Sequence, residues 1–268
     1  MSIYNIISED IKENNYKNIA TITVGVVSNI NDPEGLGRVK VKLLNRTTSE
    51  YETDFIRVMT PMSGSGWGMF FLPEVGDEVL VAFCDGDICR PYVIGSLWND
   101  SEDEERRRKV PITVTDGENN KRQIKTKSGH RITFNDKVEE KNGEKESVGR
   151  IRLTTSKGLM LSLEDKNETI IIKFNDKNGN KSGIKINGKE GAISIKAQQK
   201  IELVAGNSKI ILDGQGNSVS IESGGELKIS GNQVGIEGQS STELKSSGQV
   251  TVQASGIANV KGSMVKLN

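Results

Sequence analysis

The sequence predicts an all-β protein in two parts: a small barrel, then a long, thin strand repeat that three identical chains must close. Short β-branched runs separated by turn signals fill the front of the chain. Apolar pairs recur about every eight residues at the back. Near residue 110 the composition changes from one regime to the other.

All five prolines (Pro33, Pro61, Pro73, Pro91, Pro111), both tryptophans and both cysteines lie at or before residue 111, and no aromatic residue follows Phe174. The front therefore reads as a conventional domain with an aromatic core, the back as something repetitive. An apolar content of 34% with 29 glycines in 268 residues predicts an elongated object with little interior. Positive and negative side chains balance at 36 each, which argues against a dedicated nucleic-acid binder. No run approaches the ~18 apolar residues of a membrane-spanning helix. The opening "MSIYNIISEDIKENNYKN" carries acids and no apolar core segment, so synthesis in the cytoplasm without a signal peptide is expected.

Residues 1–19 form an N-terminal extension and 20–100 the barrel domain. In the latter, "IATITVGVVSNI", "GRVKVKLLN", "DFIRVMTP", "DEVLVAFCD" and "PYVIGSLWN" alternate apolar and polar residues, giving five short strands and a closed or nearly closed barrel. "SGSGWGMFFLP", from Ser63 to Pro73, is a glycine-rich connection. Neither a Lys-Ser/Thr pair nor a helix pattern follows it, so it is not a phosphate cradle; its glycines allow tight turns and close packing around Trp67. Cys84 and Cys89 flank "DGDI" on opposite arms of one hairpin. They read as reduced thiols, a cross-strand disulfide being the other choice. No second cysteine pair exists and the lone His130 is distant, which leaves no zinc set.

Residues 101–120 are a charged linker. Four acids precede four bases in "SEDEERRRKV", an order that favours a single helical turn, and the acids offset the field of Arg106–Lys109. Residues 121–268 are the repeat. The pairs Ile184/Ile186, Ile193/Ile195, Ile201/Leu203, Ile210/Leu212, Val219/Ile221, Leu227/Ile229, Val234/Ile236, then Leu244, Val250/Val252, Ala258/Val260 and Val265/Leu267 have second members 7 to 9 residues apart. Glycine or asparagine recurs between them. "HRITF", "GRIRLTT", "GLMLSLE" and "TIIIKFN" alternate in the same way, and "DKVEEKNGEKES" reads as an exposed hairpin loop.

One eight-residue unit buries two aliphatics worth roughly 1.5–3 kcal/mol each, against roughly 1–2 kcal/mol per residue to order its backbone. It has one apolar edge and nothing opposite. Three chains, each supplying one wall of a triangular prism, solve this. Ile193, Ile195, Ile201, Leu203, Val219, Ile221, Leu227, Ile229, Val234, Ile236, Val250, Val252 and Val260 then point to the shared axis. At ~4.8 Å per strand the repeat makes a rod on the order of 85 Å long, with no cleft in its wall.

With these elements in place, the chain resembles the contractile-tail spike family: phage baseplate assembly protein V, the cell-puncturing spike and the VgrG proteins of type VI secretion. The matching residues are Gly25-Val26-Val27, Asp32 to Gly37 with Arg38-Val39-Lys40-Val41, Arg57-Val58 with Pro61, Gly66-Trp67-Gly68, Pro73 to Val79, Gly86-Asp87 and Arg90 to Ser96; "IKTKSGHRITFND" and the repeat resemble the spike that follows. The resemblance implies a five-stranded OB-fold barrel and an intertwined triple-stranded β-helix, assembled as a homotrimer. It also implies docking of the barrel on a baseplate hub and piercing of a target cell envelope by the spike. Only about 20 residues precede the barrel, so a separate hub protein is expected; 101–120 is too short for an inserted muramidase. No histidine follows His130, so no iron-binding apex is expected. Val265, Lys266, Leu267 and Asn268 would instead meet a separate PAAR-type tip protein.

Two other functions were weighed. A trimeric tailspike that degrades glycans needs paired carboxylates in a groove; Glu202, Asp213, Glu222, Glu226 and Glu237 fall at scattered outward or turn positions. An oligonucleotide-binding barrel would use exposed aromatics such as Trp67, Phe70 and Phe71 with a basic face. The expectation is therefore a structural protein with no catalytic residues, cofactor, metal or nucleic-acid partner.

Overall fold

The protein is all-β in a computed structural model that describes residues 22–44, 51–100, 117–175 and 181–266, with residues 102, 104, 107–110 and 114 between them. Among the described residues there is no α-helix; the one helical feature is a 3₁₀ turn at Cys84–Gly86. The chain falls into two compact units. One runs to Lys173 and includes Ile184–Ile193; the other holds Phe174–Gly183 and Ser194 onward.

The first unit begins with eight strands: β1 (Ile22–Asn29), β2 (Lys40–Leu43), β3 (Tyr51–Glu52), β4 (Arg57–Val58), β5 (Ser63–Gly64), β6 (Trp67–Gly68), β7 (Glu78–Phe83) and β8 (Pro91–Leu97). Six of them form a sheet in the order β3-β2-β1-β7-β8-β4, in which β4 and β8 run parallel. A bridge between Val39 and Ile56 links the β2 side back to the β4 side and closes the barrel. All five predicted runs carry strands. The sixth, β3, has two residues, too few to show an alternation.

The barrel core is built on valine. Val27, Val39, Val41, Val79, Val81 and Val93 are buried, with Leu43, Tyr51, Ile56 and Phe83 around them. The expected aromatic core holds only in part: Tyr51 and Phe83 are buried in it, whereas Trp67, Trp98, Phe70 and Phe71 are exposed. Period-two alternation along β7, with Val79, Val81 and Phe83 inward, leaves the narrow interior to β-branched side chains that pack well on a pleated surface. The glycine-rich stretch, read as a connection, is a small hairpin of β5 and β6. Trp67 lies over Gly64 so closely that a Cβ there would sit 2.2 Å from the indole.

The linker is described only in part, and most of the predicted helical turn lies outside the described residues. Arg107–Val110 are not helical. Arg108 pairs with Asn99 through backbone bonds in both directions (3.1 and 3.2 Å), and its Nε donates to Asp77 Oδ1 at 2.9 Å.

Nine further strands follow: β9 (Lys121–Lys125), β10 (Arg131–Asn135), β11 (Val138–Lys141), β12 (Glu144–Ser147), β13 (Arg150–Thr154), β14 (Met160–Glu164), β15 (Thr169–Asn175), β16 (Lys181–Asn187) and β17 (Ala192–Lys196). Seven of them form one sheet, in the order β17-β16-β15-β14-β13-β10-β9. The charged loop predicted at "DKVEEKNGEKES" is the hairpin β11–β12. It turns through Asn142 and Gly143, both with positive φ, as a two-residue hairpin turn requires. In the second unit β18 (Lys200–Ala205), β19 (Ser208–Asp213) and β20 (Ser218–Glu222) form a three-stranded antiparallel sheet.

From Ser223 to Lys266 no residue belongs to a strand, although the apolar repeat continues unchanged. Bends fall at Gly224–Gly225, Asn232, Gln239–Ser240, Ser247–Gly248, Ser255–Gly256 and Ser263, one about every eight residues.

The valine core sets the stability of the barrel. Val81→Ala should lower the stability of the first unit by about 2 kcal/mol, and Val81→Asp should prevent the barrel from folding. Thermal and urea unfolding of the full chain checks both.

Candidate assembly surfaces

Register brings the apolar residues of successive strands into columns. In the first unit Ile124, Ile132, Leu153, Leu161 and Ile172 stand in one line across β9, β10, β13, β14 and β15. Phe134, Ile151, Leu163 and Ile170 stand in the next. In the second unit Leu203, Ile210 and Ile221 form one line and Ile201, Leu212 and Val219 the other. Each sheet thus carries a two-column apolar face. Most of these side chains are exposed in the single chain.

The opposite faces are mixed: Met160, Ile171, Val204 and Ile211 lie on them among polar residues that pair with one another. Arg152 Nη2 meets Glu164 Oε1 at 3.3 Å, and Ser162 Oγ donates to the same oxygen at 3.0 Å. Lys200 pairs with Glu202 and Lys209 with Glu222, each at 2.9 Å. A one-residue slip would exchange the two faces entirely, so the register is firmly specified wherever one face is buried.

The sequence-predicted core residues fall in three groups. Ile201, Leu203, Val219 and Ile221 meet across the β18–β19–β20 ladders, joined by Ile210 and Leu212. Ile193 and Ile195 alternate along β17, both exposed. Leu227, Ile229, Val234, Ile236, Val250, Val252 and Val260 lie in the run without strands and are all exposed; Ile236 and Val252 each show 79% of their surface. The chain does not bring these seven together. Of the expected tip residues, Val265 and Lys266 are exposed, whereas Leu267 and Asn268 lie outside the described residues. The same holds for the N-terminal extension, residues 1–19.

A third apolar surface lies on the barrel. Met59, Met62, Trp67, Phe70 and Phe71 are exposed around the β5–β6 hairpin and line a groove of about 520 Å³. The sequence names Trp67, Phe70 and Phe71 as aromatics open to a partner; the hairpin that groups them with Met59 and Met62 has strands of two residues and leaves no period to read.

The polar chemistry consists of salt bridges and turn stabilisation. Hydrogen bonds from Arg38 hold the Asp32 carboxyl well below the usual carboxylate range, helped by the backbone N–H groups of Glu34, Arg38 and Leu36. Asp213 is lowered by the N–H groups of Gly216 and Gln215. Asp87 is lowered by the N–H of Cys89 and by Arg90, Glu139 by Lys166 and Lys137, and Glu202 by Lys200. Each of these shifts stabilises an anion, the reverse of what a general acid needs. Among the described residues no three His, Cys, Asp or Glu side chains gather into a metal-binding set. His130 is exposed, and its Nδ1 accepts the Ser156 N–H at 3.3 Å. Cys84 and Cys89 are free thiols.

Residues 23–98 match the family model of the type VI secretion system/phage-baseplate injector OB domain. The chain is similar to the type VI secretion system spike protein VgrG1a of Pseudomonas aeruginosa, 28% identical over 247 residues that cover 84% of this chain and 36% of that protein. It is 30% identical to VgrG1b of the same organism over 111 residues, 40% of this chain and 14% of the relative. Against VgrG2a it is 37% identical over 65 residues, 23% of this chain and 8% of the relative. The chain thus spans about a third of VgrG1a and less of the others.

Asp32 gives the pH dependence its sign. Its pKa is lowered on folding, so its contribution to stability is full above the unfolded value near pH 4 and is lost as pH falls below it. Asp32→Asn should lower the melting temperature at pH 7, and its gap to the parent should narrow below about pH 4; melting curves from pH 7 to 2.5 check this.

Proposed function

We propose, from the premise that this chain is a VgrG-like baseplate-spike protein carrying an injector OB domain, that it is the homotrimeric central spike of a contractile injection particle. Its barrel docks on a hub protein and its repeat pierces a target envelope. It carries no catalytic site; its work is the transmission of force. Val265 and Lys266, with the two residues after them, meet a separate tip protein.

The observation that supports this most is the run from Ser223 to Lys266. It keeps the apolar alternation, bends about every eight residues, and among the described residues has no ladder partner in its own chain. Buried backbone N–H and C=O groups need partners, and apolar side chains need cover. Two further copies wound about one axis supply both together. Through Glu222 the strands already pair within the chain, so there each copy needs only cover for its apolar face. The repeat therefore uses two modes of closure, sheet walls first and intertwined strands after.

Glu202 and Asp213, two acids weighed for the glycan-degrading reading, are held as anions rather than poised as acids. The oligonucleotide reading gains exposed Trp67, Phe70 and Phe71, but Arg57, the one cation among the described residues lining their groove, is stacked 4.7 Å over the Tyr92 ring and bonded to its hydroxyl.

In solution the full chain should have a mass of three times 29.3 kDa, about 88 kDa, by light scattering; a monomer at micromolar concentration would refute the reading. Ile221→Asp and Val252→Asp should each abolish the trimer by setting three unpaired charges around one axis. Thr251→Asp, on the other side of the same segment, should leave the mass unchanged.

A further inference from the structure

We infer that the exposed aromatic hairpin of the barrel is a contact between neighbouring copies, formed at the end of the barrel from which the spike departs. The inference rests on the trimeric reading above and adds a second interface to it.

Strand directions give the barrel two distinct ends. The pairings Ile22↔Ala82 and Phe83↔Pro91 set the start of β1, the end of β7 and the start of β8 at one end. The pairings Val26↔Glu78 and Glu78↔Leu97 set the later part of β1, the start of β7 and the end of β8 at the other. β4 runs parallel to β8, so the chain leaves β4 toward that second end. The segment from Met59 to Asp77, which carries the β5–β6 hairpin, therefore belongs to the second end, where β8 also delivers the chain to the linker and β9. The loop Cys84–Arg90 and the start of β1 belong to the first.

The hairpin is firmly built. Met69 N–H donates to Met62 O at 2.9 Å, Thr60 Oγ1 donates to Met69 O at 2.5 Å, and the Phe70 ring lies against Gly37. Such a brace holds Trp67 at 62% exposure and Phe70 at 77%. At roughly 150–250 Å² per aromatic side chain, Trp67, Phe70 and Phe71 with Met62, Met69 and Leu36 offer on the order of 800 Å², one partner's share of a standard interface. Among the described residues no carboxylate lines the groove, so little charge must be stripped of water when it is covered.

The occupant follows from position. Three residues beyond Phe71, Glu74 holds Lys127 at 2.9 Å, and Lys127 belongs to the turn that opens the spike sheet. Arg108 fastens the linker to Asp77 in the same loop. The hairpin is thereby fixed beside the foot of the sheet, where a trimer holds the other two copies within reach at high effective concentration. A ring of three makes a heterologous contact, in which the hairpin of one copy covers a different surface of the next. A hub engaging the opposite end of the barrel would leave it untouched.

The test uses the full chain carrying Trp98→Phe, which leaves Trp67 as its sole tryptophan. Light scattering gives the mass, and acrylamide quenching gives the accessibility of Trp67. At trimeric mass the quenching constant should fall several-fold below that of N-acetyltryptophanamide. A trimeric mass with freely quenched Trp67 would overturn this inference alone; a monomeric mass would overturn the trimer as well. Shielding that arises only when single-stranded DNA is added would assign the hairpin to a nucleic acid and overturn it too.

Discussion

A strand that is apolar on one side cannot be both hydrogen-bonded and dry on its own. This constraint governs everything after the barrel. In the three-stranded sheet the ladders satisfy the backbone, yet Leu203, Ile210 and Ile221 still face outward from the single chain. After Ser223 the described residues form no strand ladder at all. Ladder bonds contribute little net free energy each, but leaving their groups buried and unpaired costs much more. Apolar cover and strand pairing must therefore arrive together in that region. An assembly that supplied one without the other would gain nothing, which makes closure there all-or-none.

The same constraint explains the distribution of charge. An apolar column that awaits cover has no room for ions, and several carboxylates away from those columns are held by lysines, arginines or turn N–H groups. Asp213 accepts from two turn amides; Glu139 sits between Lys137 and Lys166. Exposed pairs of this kind contribute little stability. Their use is to mark a face as outward, because a slip of one residue would carry Lys200, Glu202 and Lys209 inside. Wall chemistry and register specificity are thus one property.

The repeat was legible in the sequence because its signal is long. An eight-residue spacing held for more than 80 residues leaves few alternative folds, and in the β18–β19–β20 ladders the apolar residues named from it share one face. The barrel strands were legible for the same reason at shorter range, since Val39, Val41 and Leu43 alternate visibly. Two features were not. β3 is two residues long and has no period. The aromatic hairpin misled because composition reports how much aromatic surface exists, not which side of the backbone carries it. In a narrow barrel six valines fill most of the interior beside Tyr51 and Phe83, and Trp67, Phe70 and Phe71 are left outside. Which end of the barrel carries the hairpin depends on strand direction, and that became visible only once the pairings were in place.

Strand direction also bears on how load would pass from barrel to spike. Two contacts join the loop after the hairpin to the chain beyond β8, and they differ in kind. Lys127 and Glu74 are well exposed, so their attraction is screened and weak. Arg108 and Asp77 are partly shielded at 25% and 30% exposure. Asn99 exchanges backbone bonds with Arg108, and the guanidinium lies over Gly76, where a Cβ would sit 2.5 Å from Nη2. A side chain fixed at its backbone, its guanidinium and its packing face loses little further entropy under load, whereas a single exposed ion pair can swing. The glycine at position 76 also needs its φ of +88° to make the turn that presents Asp77. The rigid part of the joint is therefore the Arg108 strap. Since Glu74 and Asp77 share a loop with the base of the aromatic hairpin, the elements that would hold barrel to spike and copy to copy are set by one short stretch, Phe71 to Asp77.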